Sequence, residues 1–134
     1  MHRDEVLFAN EAFYVAFASA DLAAMERLWA ERDDVVCLHP GWPALCGREA
    51  VLESWARILG NPDQPAVTVH ALDALAAGPG AMLVVCYETM ADTVMVASNL
   101  FVSTADGPRL LSHQAGLCPD PPALPQPGRL DFDA

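Results

Sequence analysis

The chain has 134 residues, room for one domain around one core. Hydrophobic residues make up 53% and charged ones only 19%, below the roughly 25% usual for a globular domain, so a second copy is expected to cover part of the apolar surface. Seven basic residues against eighteen acidic ones give a net charge of −11, which disfavours nucleic-acid partners and anionic membrane surfaces.

The opening twenty residues are charged at the start and periodic afterwards, a helix rather than a signal peptide. Leu7, Asn10, Tyr14 and Phe17 form one stripe over residues 4–19, with Val6 and Phe13 beside it. Asp21 is placed to cap a second helix that runs to about Arg32 and buries Leu22, Met25, Leu28 and Trp29. A short apolar strand from Val35 to Leu38 stops at the turn His39-Pro40-Gly41-Trp42-Pro43. Gly47 opens a third helix, with Val51, Leu52, Trp55, Ile58 and Leu59 on one side, and Gly60 and Pro62 close it.

Beyond this point the period changes. Residues 66–77, 81–91, 94–104 and 109–118 are rich in β-branched and apolar residues, separated by turn signals, and predict an antiparallel meander. Several stretches are apolar at both parities, such as Met82-Leu83-Val84-Val85, so both sheet faces are expected to be covered. The fold class is therefore α+β over residues 4–118: three N-terminal helices on a curved, mostly antiparallel sheet of four to five strands. Residues 119–134 carry five prolines and read as an extended strap or a disordered end. No apolar run approaches the roughly 18 residues that span a membrane. Cys37, Cys46, Cys86 and Cys118 lack CxxC spacing, and without a secretory segment reduced thiols and a cytoplasmic location are expected.

The order helix, helix, strand, helix, meander resembles the SnoaL-like, or nuclear transport factor two-like, superfamily. The resemblance covers roughly residues 5–118 and is carried by YVAFASADLAAMERLWAERDDVVCLHP, by GREAVLESW, and by ASNLFV with RLLSHQAG. It implies a cone whose mouth holds a ligand and a homodimer formed through the sheet. The group includes isomerases, cyclases and dehydratases as well as members without activity, so the fold alone does not give a reaction. In the ketosteroid isomerase branch, Tyr14 falls within one residue of the donor tyrosine. His39 stands where that branch has its basic aspartate, and Asn99 stands near the protonated acid. The chain thus departs from the branch at two of three positions. The resemblance implies catalytic roles for His39 as base and for Tyr14 and Asn99 as donors to a developing enolate.

Around this trio, Trp42, Trp55, Tyr87, His113 and Gln114 are the ligand-binding candidates. Trp42 lies in a loop where an indole offers a flat surface and one N–H donor, whereas Trp55 also suits the core. Tyr87 and Glu88 have opposite parities, so only one can face a cavity. Tyr87 is assigned to the pocket and Glu88 to the surface, although an inward carboxylate would be a rival base. His113 and Gln114 are also of opposite parity, and which of them faces the cavity is left open. His70 is read as a strand residue at solvent or an interface. The histidines and cysteines never fall into zinc-ligand spacing, so no metal and no cofactor is expected. Neither a Gly-x-Ser-x-Gly elbow nor a phosphate loop is present. Two functions remain: a cofactor-independent isomerase, cyclase or dehydratase acting on a small apolar molecule, or a non-catalytic ligand-binding or dimeric accessory domain.

Overall fold

The computed structural model describes residues 1–127. Its elements are α1 (Arg3–Ala18), α2 (Leu22–Leu28), β1 (Val36–Leu38), β2 (Leu45–Cys46), α3 (Arg48–Leu59), β3 (Val67–Ala76), β4 (Ala81–Met90), β5 (Thr93–Thr104) and β6 (Gly107–Leu117). The stripe on α1 is buried as its spacing predicts, from Val6 and Leu7 through Asn10, Phe13 and Tyr14 to Phe17. Asp21 caps α2, its carboxylate accepting from the Ala24 N–H at 3.1 Å.

α2 is shorter than expected and ends at Leu28. Trp29 turns into extended backbone, bridges to Leu110 of β6 and buries its indole, while the Ala30 N–H donates to the Leu110 carbonyl. Burial of this indole and one sheet hydrogen bond outweigh the last helical turn, whose propensity is a weak constraint. α3 also ends differently from expectation. Gly60 is right-handed, at φ −80°, rather than left-handed. A Cβ there would lie 2.9 Å from the Ala56 carbonyl, so it is space that requires glycine.

The sheet is mixed and has six strands, in the order β2-β1-β6-β5-β4-β3. This corrects the expected four to five. β2 is only two residues long, too short to leave a period in the sequence, and it pairs with β1. β1 runs parallel to β6, while β3 to β6 form the expected antiparallel meander. Bulges between Ala71 and Asp73 and between Leu100 and Phe101 interrupt the ladder. Each adds one residue to a strand and increases its local bend and twist. The curved sheet stays unclosed, and the helices fill its inner side.

Alternation decides which side chains the helices cover. Val84, Cys86 and Glu88 of β4 point inward with Ala97, Asn99 and Phe101 of β5, whereas Tyr87 and Val96 point outward. An aromatic cluster joins the layers, with Phe13 in edge contact with Tyr14, Phe17 and Trp55. Residues 118–127 follow β6 without regular structure, and the Pro125 carbonyl lies 3.0 Å from His70 Nδ1. His70 is therefore buried, bonded also to the Thr89 hydroxyl, and not a solvent residue. The strap expected over 119–134 is described only as far as 127; residues 128–134 lie outside the described residues.

Phe13 is fully buried and touches both layers. Phe13→Ala is expected to lower unfolding stability by about 3–5 kcal/mol in urea titrations. A loss below about 1 kcal/mol would show that this cluster does not hold the helices on the sheet.

Candidate active site

Between α1 and the inner face of the sheet lies a group of polar side chains in an otherwise apolar core. The Tyr14 hydroxyl donates to Glu88 Oε2 at 2.6 Å. Asn99 Nδ2 donates to Asn10 Oδ1 at 2.8 Å and to the Tyr14 oxygen at 3.1 Å. With its amide oriented this way, Asn99 Oδ1 accepts from His113 Nδ1 at 2.5 Å. The chain of donors fixes every group in it: His113 carries its proton on Nδ1, which leaves Nε2 as an acceptor.

Glu88 Oε2 is 4.0 Å from that Nε2, a distance that would suit an ion pair. Burial argues against one. It pushes the His113 imidazole down to about 3, helped by the nearby His39, so the ring is neutral. Burial also raises the Glu88 carboxyl to about 7, and the Tyr14 hydrogen bond offsets only part of that rise. The Tyr14 phenol is driven well above its ordinary value, by burial first and then by Glu88, and remains a donor. The buried Cys37 and Cys86 thiols, both pushed up to about 12, remain protonated.

His39 reaches the same region from the end of β1. Ser54 Oγ donates to the Val51 carbonyl at 2.6 Å and so accepts from His39 Nε2, 2.9 Å away. Nδ1 is left with the lone pair. Burial lowers this imidazole to about 4, which weakens it for the base role that the resemblance implied. The turn after His39 closes with a hydrogen bond from the Trp42 N–H to the His39 carbonyl. Gly41 sits at φ 80°, as the third position of a type II turn requires. The turn folds Trp42 over His39, with ring centroids 4.9 Å apart.

These groups border a cavity of about 450 Å³. His39, Glu88 and His113 form its polar depth. Phe17, Ile58, Met90 and Met95 form an apolar belt, and Trp42, Arg57, Asn61 and Gln64 stand at the mouth. Among the expected site residues, His39, His113 and Trp42 therefore line the cavity. Tyr14 and Asn99 lie one layer behind, hydrogen-bonded to Glu88 and His113 respectively. Trp55 is buried between Phe13, Phe17 and His39 and forms the wall behind the imidazole. Two assignments are corrected. Tyr87 is on the outer face, and Gln114 is exposed there, because the inward parity belongs to Glu88 and His113. Sequence reasoning placed Glu88 at the surface, yet it is 1% exposed. It did not consider Arg57 or the partner role of Asn10.

The SnoaL-like domain profile matches residues 6–119. The chain belongs to the SnoaL-like domain family. Among solved structures, this SnoaL-like chain is similar to a Streptomyces avermitilis protein provisionally named a dehydratase of the NTF2-like family. The two are 32% identical with a TM-score of 0.76, over 87% of this chain and 96% of that one. It is also similar to a Thiobacillus denitrificans protein provisionally named a calcium/calmodulin-dependent protein kinase type II association domain, at 29% identity and TM-score 0.74, covering 82% and 92% of the two chains. A ketosteroid isomerase-like protein of Erwinia carotovora atroseptica shares the fold at 19% identity and TM-score 0.66, over 85% and 93%. No functionally curated protein matches significantly.

The cavity of this SnoaL-like chain is thus bordered by a carboxyl that burial holds near 7 and by two imidazoles that burial keeps neutral. Among the described residues, no group of three or more His, Cys, Asp or Glu side chains is arranged to hold a metal ion.

A carboxyl held near 7, against an ordinary 4.5, keeps its proton in the folded chain where the unfolded chain has lost it. Its contribution to stability is full below about 4.5 and is lost as pH rises to about 7. The lowered imidazoles act in the opposite sense, gaining stability as pH rises toward their ordinary 6.5. They are common to wild type and Glu88→Gln, so they cancel in the difference. The stability advantage of Glu88→Gln over wild type should grow by on the order of 3 kcal/mol across that window. Urea titrations at several pH values check this; a difference flat with pH would mean an ordinary carboxylate at Glu88.

Proposed function

We propose that the cavity is the active site of a cofactor-independent enzyme that moves a proton on a small, largely apolar carbonyl or hydroxy compound. The reaction belongs to the isomerase, dehydratase or cyclase class, with Glu88 as the proton carrier. The observation that carries the reading is a carboxyl 1% exposed, bonded to Tyr14 and bordering a ligand-sized cavity. A general acid–base works best when its pKa lies near the working pH, and burial holds Glu88 there.

In its ionised form Glu88 takes a proton from the carbon next to a carbonyl. In its protonated form it returns that proton to a neighbouring carbon or to a departing hydroxyl. Tyr14 donates to the carboxylate throughout and limits how far its basicity can rise. The lone pair on His113 Nε2 accepts from a substrate hydroxyl, and His39 Nδ1, 3.9 Å from the Cys37 thiol, is a second acceptor, so the imidazoles orient the molecule without carrying charge. The base role expected for His39 passes to Glu88, because an imidazole held at about 4 is a weak base. The similarity to a protein provisionally named a dehydratase supports the same class of chemistry.

Exchange of the α-protons of indanone in D₂O, followed by proton NMR, tests the reading with a simple carbonyl probe. Wild type is expected to accelerate exchange with a rising limb near pH 7. Glu88→Gln should lose about 10²–10⁴-fold and Tyr14→Phe less. Bound indanone with no acceleration would instead identify a binding module.

We also place a second copy of the chain on the outer sheet face. Leu72, Leu75 and Val96 are exposed there, beside half-buried Leu83, Val85 and Leu100. A charge at the centre of such an interface would be desolvated and unpaired. Sedimentation velocity should show a wild-type dimer and a monomeric Val96→Lys; a monomeric wild type overturns this assignment.

A further inference from the structure

The mouth of the cavity holds a cation that the proton chemistry does not use. Arg57 lies in the last turn of α3, with its guanidinium carbon 5.3 Å from the centre of the Trp42 ring. Stacking on the indole holds a guanidinium by its face and leaves its N–H edge open. Among the described residues no carboxylate pairs with it. Glu53, one turn earlier on the same helix, has the spacing for an ion pair and makes none. In a chain of net charge −11, a cation without a carboxylate partner among the described residues, at the rim of a cavity, is a distinctive feature.

Its neighbours at the mouth are uncharged. Among the described residues the Gln64 amide donates only to the Met90 thioether at 3.7 Å, a weak acceptor, so its N–H groups are also available. From this rim the lining becomes apolar through Ile58, Phe17, Met90 and Met95, and polar again only at Glu88, His39 and His113. Exposure falls along the same path, from 36% at Trp42 to 1% at Glu88. The lining is therefore polar at two ends and apolar between them.

We infer that the ligand is an apolar molecule bearing a carboxylate, which Arg57 holds at the mouth while the opposite, reacting end reaches Glu88. The inference rests on the cavity being a small-molecule site and specifies the class of molecule. A planar fork of N–H donors matches a carboxylate in two parallel hydrogen bonds. A doubly charged phosphate fits less well, because among the described residues one guanidinium would be its only cationic partner in the lining. Arg57 acts as a specificity residue: it selects and orients the ligand and takes no part in proton transfer.

Calorimetric titration with a hydroxynaphthoate, its hydroxyl and carboxylate at opposite ends of the rings, tests this against the matching primary amide. At neutral pH and low salt the acid is expected to bind about tenfold tighter than the amide. Arg57→Gln should remove that preference while leaving amide affinity unchanged. Arg57→Lys should keep only part of it, since an ammonium lacks the planar fork. Added salt should weaken the acid and spare the amide. Equal affinities in wild type, or a preference that survives Arg57→Gln, overturn the inference and leave the cavity reading standing. If neither compound binds, the cavity reading fails as well. Selective acid binding without α-proton exchange of indanone would leave Arg57 its role and remove the catalytic one.

Discussion

Carrying a carboxyl group into an apolar interior costs several kcal/mol when it is charged and far less when it is protonated or well bonded. Glu88 is buried in this way, and much of the surrounding structure answers to it. Tyr14 reaches across from α1 to donate to it, and Asn99 fixes Tyr14 from the neighbouring strand. Asn10 and His113 then complete the amide's hydrogen bonds. Helix and sheet are thus joined by a polar network as well as by the aromatic cluster around Phe13. Such a network is stable only when all its members are satisfied, which ties the positions of five side chains to one another.

The same arrangement sets the chemistry. Low polarity around the depth of the cavity raises the carboxyl and lowers both imidazoles, because burial always penalises the charged form. A carboxyl that would be ionised in water and two imidazoles that would be partly protonated there instead form a nearly neutral cluster. The fold contributes this by geometry. The type II turn at Gly41 brings Trp42 over His39, and α3 supplies Ser54 beneath the ring and Arg57 beside the indole.

Similarity to SnoaL-like and NTF2-like proteins explains the architecture and does not by itself give a function, since one fold hosts many chemistries. Its neighbours carry names as different as dehydratase, kinase association domain and ketosteroid isomerase-like protein. The cavity of this chain holds a buried Glu88 on β4, two neutral imidazoles and an arginine over the indole at the rim.

The sequence by itself determined the helices, the meander and the buried stripe on α1, because periods of 3.6 and 2 are local consequences of backbone geometry. The cap at Asp21 and the turn at Pro40-Gly41 were legible for the same reason. The resemblance to the SnoaL-like superfamily drew attention to His39, Tyr14 and Asn99, and the last strand offered His113 without saying which way it faces. Only the tertiary structure decided which face of β4 looks inward. Leu83, Val85 and Tyr87 are as apolar as Val84 and Cys86, so alternation carried no sign and Glu88 was assigned to the wrong side. The two-residue β2 and the early end of α2 were hidden because each depends on pairing with a distant strand. Arg57 gave no signal at all: an arginine on an exposed helix face acquires its meaning from Trp42, fifteen residues away in the chain and 5.3 Å away in space.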